Sequence, residues 1–265
     1  MSGATIEAAL CQMNSGAEPG PNLEQAAALI AEAAAGGAEL ACLPETFASM
    51  GAAPAAKRAL AEEPGAGPVQ DFVAAQARRH RIHVAAGSLL VKGQKLPRNR
   101  SILYGPDGKA LGHYDKINLF RFRSARRAYD ETKEYEAGRT PTALDTPLGR
   151  IGLTVCYDLR FPSLYRRLGR LDVALVPSAF TRPTGRAHWR VLLRARAIEN
   201  QCFVLAAAQC GRHPGGLATW GHSLAVDPWG RVLGELAGAP GVLRVSLPRA
   251  ALAEARALLP AAGEA

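Results

Sequence analysis

The chain has 265 residues, enough for one large domain with a sizeable core, and its five cysteines are odd in number with no C-x-x-C spacing. That cysteine usage argues against a zinc site or a disulfide framework and points to a reducing cytoplasm. The formal charge of +9 invites a nucleic-acid partner, yet the arginines are scattered apart from Arg121, Arg123, Arg126 and Arg127, with no interleaved aromatics as a stacking platform.

Met1 to Ala9 lacks the basic and apolar regions of a leader, and the first element is a strand from Thr5 to Met13. Asn22 is placed to cap a helix through Leu23, Ala27, Ile30 and Ala34, ended by Gly36-Gly37. A short strand, Leu40 to Leu43, stops at Pro44 and leaves Glu45 at its C-terminal end. Pro68 starts a helix to about Arg79, Ile82 to Val91 is the next strand, and Arg100 to Tyr104 and Ala110 to Asn118 flank the turn Gly105-Pro106-Asp107-Gly108. Leu119 to Pro141 is charged and irregular, too long for an idle connection.

The apolar run Ile151 to Val155 reads as a buried strand that stops at Cys156, and Pro162 opens a helix through Tyr165 and Leu168. Strand Val173 to Val176, a helix over Ala187 to Gln201 with Leu192, Ala195 and Ile198 on one face, and strand Cys202 to Ala208 follow. Ser223 to Val226 and Arg231 to Leu236 pair across Asp227-Pro228-Trp229-Gly230, and a strand (Val242 to Leu247) and a helix (Ala250 to Leu259) close the chain. No apolar run is long enough to span a membrane. Strands alternating with helices, but with hairpins among them, predict one α/β domain over residues 1–265 with mixed sheets.

Three polar residues stand where strands end: Glu45, Lys116 and Cys156. Such ends converge at one sheet edge although far apart in sequence. A thiol at a strand-to-helix turn, with a helix N-terminus nearby to favour thiolate, suits a nucleophile, and a carboxylate can serve as its base. A buried ammonium and the Tyr157 backbone N–H would stabilise the oxyanion of a tetrahedral intermediate. Taken singly, each has a plainer reading: a buried structural cysteine, a surface carboxylate, a solvated lysine.

Leu43-Pro44-Glu45-Thr46-Phe47, Tyr114-Asp115-Lys116-Ile117-Asn118-Leu119-Phe120 and Val155-Cys156-Tyr157-Asp158-Leu159-Arg160-Phe161-Pro162 resemble the three signature segments of the nitrilase superfamily of carbon–nitrogen hydrolases. The resemblance runs from Ile6 to about Leu247. It implies a four-layer αββα sandwich that pairs into homodimers and needs no cofactor or metal. It also implies Glu45 as general base and acid, Lys116 as stabiliser of the intermediate, Cys156 as nucleophile, and Glu131 as a second glutamate positioning Lys116 and the substrate. Thr184 to Trp189, Leu193 to Gln201 and Ala206 to His213 look like the Nit branch, most narrowly the deaminated glutathione amidases, with the omega-amidases acting on 2-oxoglutaramate as near relatives. On that likeness Arg160 would clamp a 2-oxo acid carboxylate, with Phe180 and Thr184 lining the same pocket; the plainer role for Arg160 is a partner for Asp158.

Arg121, Ser163 and Arg186 depart from the family pattern and bear on substrate choice. The expected activity is a cytoplasmic thiol amidase acting on a small-molecule amide, with no nucleic-acid or membrane partner. Two rivals are a papain-like hydrolase pairing Cys156 with His188 or His222, and a nucleic-acid-binding module built on the Arg121 to Arg127 cluster.

Overall fold

The computed structural model describes residues 5–123 and 128–260. The first half runs β1 (Thr5–Gln12), α1 (Pro19–Ala35), β2 (Leu40–Cys42), α2 (Pro54–Leu60), α3 (Pro68–His80), β3 (His83–Ala85), β4 (Leu89–Val91), β5 (Arg98–Tyr104) and β6 (Ala110–Asp115). A small hairpin, β7 (Arg121–Arg123) and β8 (Ala128–Asp130), leads into a 3₁₀ turn at Glu131–Lys133. The second half runs β9 (Thr142–Thr146), β10 (Gly149–Leu153), a 3₁₀ turn at Cys156–Arg160, α4 (Pro162–Leu168), β11 (Val173–Leu175), α5 (Arg182–Asn200) and β12 (Phe203–Ala206). It closes with β13 (Cys210–Arg212), β14 (Ala218–Trp220), β15 (Leu224–Val226), β16 (Val232–Glu235), β17 (Gly241–Pro248) and α6 (Arg249–Leu258).

Two mixed sheets share one plan. In the first, β1, β2 and β3 are parallel and central, with β17 antiparallel on one side and β5, β4 and β6 on the other. In the second, β10, β11 and β12 are parallel, flanked by antiparallel β9 and by β15 and β16. Strand alternation builds the layers. Ile6, Ala8 and Leu10 of β1, with Leu40 and Cys42 of β2, face the second sheet and join its core. Ala9, Cys11 and Ala41 point the other way, onto Ile30 and Ala33 of α1 and Val73 and Ala77 of α3. Tyr165 of α4 and Trp189, Leu193 and Ala197 of α5 cover the outer face of the second sheet. The result is the expected αββα sandwich, held mainly by burial worth ~1.5–3 kcal/mol per fully enclosed large apolar side chain.

Several sequence expectations need correction. Asn22 is not a cap: α1 begins three residues earlier at Pro19, and the buried Asn22 amide instead ties Gly16 to the Ala48 carbonyl. The single strand expected over Ile82 to Val91 is two, because the chain breaks at Gly87, whose φ is +55°. A Cβ there would drive into the carbonyl oxygens of Leu43 and Pro44. Helix α5 starts at Arg182 with Pro183 in its first turn, and its buried side is Trp189, Leu193, Arg196 and Ala197, whereas Ile198 is exposed. The stretch from Leu119 to Pro141 holds the β7–β8 hairpin rather than irregular chain, and α2, β9, β13 and β14 are additional. Of the arginine cluster, Arg126 and Arg127 lie outside the described residues, and Arg121 engages Asp130 and Thr132.

Candidate active site

The parallel strands of both sheets end on the same edge, and the bridge Met13–Gln209 joins the two sheets there. Glu45 follows β2 through Leu43-Pro44, Lys116 follows β6 directly, and Cys156 follows β10 after Thr154-Val155. All three are buried: Glu45 is 3 % exposed, Lys116 1 % and Cys156 7 %. Glu45 Oε1 accepts from Lys116 Nζ at 2.7 Å and from Asn99 Nδ2 at 3.0 Å. Lys116 Nζ also reaches Glu131 Oε2 at 2.9 Å, and the Cys156 thiol hydrogen-bonds the Glu45 side chain. Lys116 is therefore a buried cation between two carboxylates, the arrangement that makes burying its charge tolerable.

The electrostatics of the set differ from the expectation of a ready thiolate. Burial pushes the Cys156 thiol well above its ordinary value and the Glu45 carboxylate adds to this. The Lys116 ammonium and the Ala179 N–H pull the other way without offsetting it. The anticipated helix N-terminus is a 3₁₀ turn, with α4 starting only at Pro162, so it lends no helix-scale dipole. Burial alone would lower Lys116, but Glu131 and Glu45 hold it well above the usual lysine value. Glu131 is raised by burial and by Glu45, against the pull of Lys116. Burial and Glu45 thus favour the neutral thiol of Cys156 over the thiolate.

Asp158, weighed from the sequence only as a partner for Arg160, has a different role. Fully buried, its Oδ2 accepts from Tyr114 Oη at 2.8 Å and Val155 N at 2.9 Å, and its Oδ1 from Asn118 N at 3.0 Å and Asn118 Nδ2 at 2.8 Å. One carboxylate thus fastens the turn carrying Cys156 to the segment carrying Lys116. Cys156 itself sits at φ +52°, a left-handed conformation that costs a non-glycine residue roughly 1–2 kcal/mol. The Asp158 bonds and the Cys156 N–H to Pro177 O bond, 2.9 Å, hold it there. The Asn118 in the second motif and the aspartate two residues after the cysteine were the signals available; Asn99 carried none.

Two cavities meet at Cys156. The larger, about 300 Å³, is lined by Glu45, Glu131, Glu134, Lys57, Phe120 and Tyr129 among others. The smaller, about 20 Å³, is lined by Cys156, Tyr157, Arg160, Phe180, Thr181 and Thr184, which brings all four expected substrate-binding residues together. The Arg160 guanidinium lies 5.1 Å from the Phe180 ring centroid and 5.8 Å from that of Tyr157. It is not the partner of Asp158; its polar contact is His188 Nδ1 at 3.2 Å. His222 is engaged by Glu235 at 2.7 Å, so both histidines of the papain-like alternative have other partners, and the side chain hydrogen-bonded to the thiol is that of Glu45. Among the described residues no group of side chains could hold a metal ion.

The family described as carbon-nitrogen hydrolase matches residues 7–257. A protein named deaminated glutathione amidase from Yersinia enterocolitica is 40% identical over 259 residues, covering 95% of this chain and 90% of that one. The crystal structure of the C. elegans NitFhit protein superposes with a TM-score of 0.90 at 34% identity, covering 98% of this chain and 65% of that longer one. An amidase from Nesterenkonia sp. AN1, solved as a mutant with acrylamide added to its active-site cysteine, gives 0.80 at 30% identity, covering 96% and 98%. The sandwich, the motifs and these relatives agree: the chain belongs to the carbon–nitrogen hydrolase family and is a hydrolase acting on amides.

Proposed function

We propose that this protein is a thiol amidase that cleaves deaminated glutathione to 2-oxoglutarate and cysteinylglycine through a thioester on Cys156. The buried Glu45–Lys116–Cys156 cluster at the junction of two cavities carries the reading, and the names of relatives at 36–40% identity support the substrate. Residues 1–265 act as one hydrolase domain. We read it as a homodimer, supported by the exposed Val191 and Ile198 of α5 and the exposed Trp229 and Val232, and as cytoplasmic, supported by five unpaired cysteines.

Cys156 starts as a thiol, so attack requires Glu45 to take its proton as the sulfur reaches the amide carbon. The transfer leaves the net charge of the buried cluster unchanged, which limits its cost in a dry site. The tetrahedral oxyanion lies between the Lys116 ammonium and the Tyr157 N–H. On collapse the C–N bond breaks, and the departing amine receives the proton from Glu45. Water then attacks the thioester, again giving its proton to Glu45, and Cys156 leaves as the thiol. Glu131 keeps Lys116 charged and in place throughout. Arg160 holds the 2-oxo acid carboxylate, and Phe180 and Thr184 shape the pocket beside it.

The test is 2-oxoglutarate release by wild type and Cys156→Ala, given deaminated glutathione and 2-oxoglutaramate in parallel. Cys156-dependent release that is fast from the first substrate and slow from the second is expected. The reverse ratio would make this an omega-amidase, and a Cys156→Ala protein as active as wild type would refute the mechanism.

A further inference from the structure

Both cavities border Cys156, so on the substrate reading above the scissile amide sits where they meet. With the acyl arm and its carboxylate at Arg160, the departing amine occupies the 300 Å³ cavity. The charged side chains lining that space are mostly acidic and mostly spoken for. Glu45 and Glu131 face Lys116, and Asp130 accepts from Thr132 N at 3.1 Å and Thr132 Oγ1 at 2.6 Å. Among the described lining residues Lys57 is the single lysine or arginine.

Lys57 is placed by polar contacts rather than by packing. Its helix, α2, buries none of its residues and has no side-chain cap. The ammonium pairs with Glu134, hydrogen-bonds Tyr135, and stands 5.0 Å from the centroid of that ring, with only 15% of the side chain exposed. An ammonium has three N–H donors; Glu134 and Tyr135 take two. A second carboxylate need not displace Glu134, since Lys116 in the same site bridges Glu45 and Glu131. Tyr135 is itself buried, so the ammonium has a firm aromatic floor.

We propose that Lys57 is a specificity residue that receives the carboxylate of the departing amine, so the enzyme selects amides whose leaving group is a small peptide with a free C-terminus. This rests on the substrate reading above. On the same placement the enzyme should disfavour primary amides, whose leaving ammonia has no carboxylate to offer Lys57.

The experiment compares deaminated glutathione with its C-terminal carboxamide, using wild type, Lys57→Met and Lys57→Arg, with kcat and KM read from 2-oxoglutarate release. Wild type should prefer the free carboxylate about ten-fold or more in kcat/KM, the scale of one charge-assisted contact. Lys57→Met should lose that preference, to about one, through KM, and Lys57→Arg should restore part of it. Retention of the wild-type preference by Lys57→Met overturns the assignment. Equal losses on both substrates also overturn it, because they would mean that Lys57 only tethers α2 to the Glu134 segment. A wild type that turns over both compounds equally sinks this inference and leaves the substrate reading standing, whereas a wild type inert toward both removes the two together.

Discussion

Replacing Asp158 with Asn changes one oxygen into an NH₂ and should be the most informative single perturbation of this fold. Each carboxylate oxygen accepts two bonds, from Tyr114 and Val155 on one side and both Asn118 donors on the other. Whichever way the amide turns, an NH₂ faces two donors, so two bonds are lost and two buried N–H or O–H groups are left unpaired. At ~1–3 kcal/mol for each unsatisfied group, the cost is about 2–6 kcal/mol. For a chain of this size that corresponds to a Tm lower by roughly 10 °C. The loss does not stop at stability. The left-handed Cys156 backbone and the Lys116 segment both depend on this carboxylate, and a shift of about 1 Å between nucleophile and its partners is worth about 100-fold in rate. Calorimetry and steady-state turnover measured on the same preparation give both numbers. Tyr114→Phe, which leaves Oδ2 its bond from Val155, should show a smaller drop of about 1–2 kcal/mol. An Asp158→Asn protein that melts within about 2 °C of wild type and turns over at the wild-type rate would refute the argument that Asp158 fastens the site.

Three further outcomes are expected. Gly87→Ala places a Cβ against the carbonyl oxygens of Leu43 and Pro44 at a positive φ, so it should destabilise by about 3 kcal/mol or more and displace Glu45; a melt and an activity assay report both. Glu45→Gln leaves a buried thiol without a base, so turnover should fall at least about 100-fold, and because the Glu45 carboxylate helps hold the thiol up, alkylation of Cys156 should rise at a lower pH than in wild type. Glu136 is the pH-sensitive anchor: burial would raise it, but the N–H groups of Leu96, Lys95 and Gln94 bring it down to about 2. Being lowered from 4.5, it contributes stability above that pH and loses it as pH falls toward 2, so Glu136→Gln should flatten acid unfolding in that window.

Much of this was legible in the sequence because strand ends and helix starts are local. Pro44, Pro68 and Pro162 mark boundaries that the structure keeps within a residue or two. What was not legible is tertiary. Asn22 has the right chemistry for a cap, but burial against Ala48 offers its amide a better use inside α1. Ile82 to Val91 reads as one apolar strand because the break at Gly87 is imposed by Leu43 and Pro44, which are remote in sequence. The ready thiolate failed for the same reason. Spacing locates Cys156 at a turn, but only the assembled sandwich shows that burial and Glu45 outweigh Lys116. The Thr181 and Pro183 start of α5 was present in the sequence and outweighed by the polar composition that follows.

The pairing of β17 with β1 joins Thr5 to Pro248 and Gln12 to Gly241, residues at opposite ends of the chain. The strands of the second sheet, by contrast, all lie between Thr142 and Glu235, so its hydrogen-bonded ladders close without β17. During synthesis the Cys156 half can therefore assemble while the sheet that supplies Glu45 and Lys116 still lacks an edge. Cys156 and Glu45 stand at the ends of strands in different sheets, so their contact exists only once the two sheets have packed face to face. Until that packing Cys156 is a cysteine without Glu45 or Lys116 beside it, so the site belongs to the assembled sandwich and to neither sheet alone.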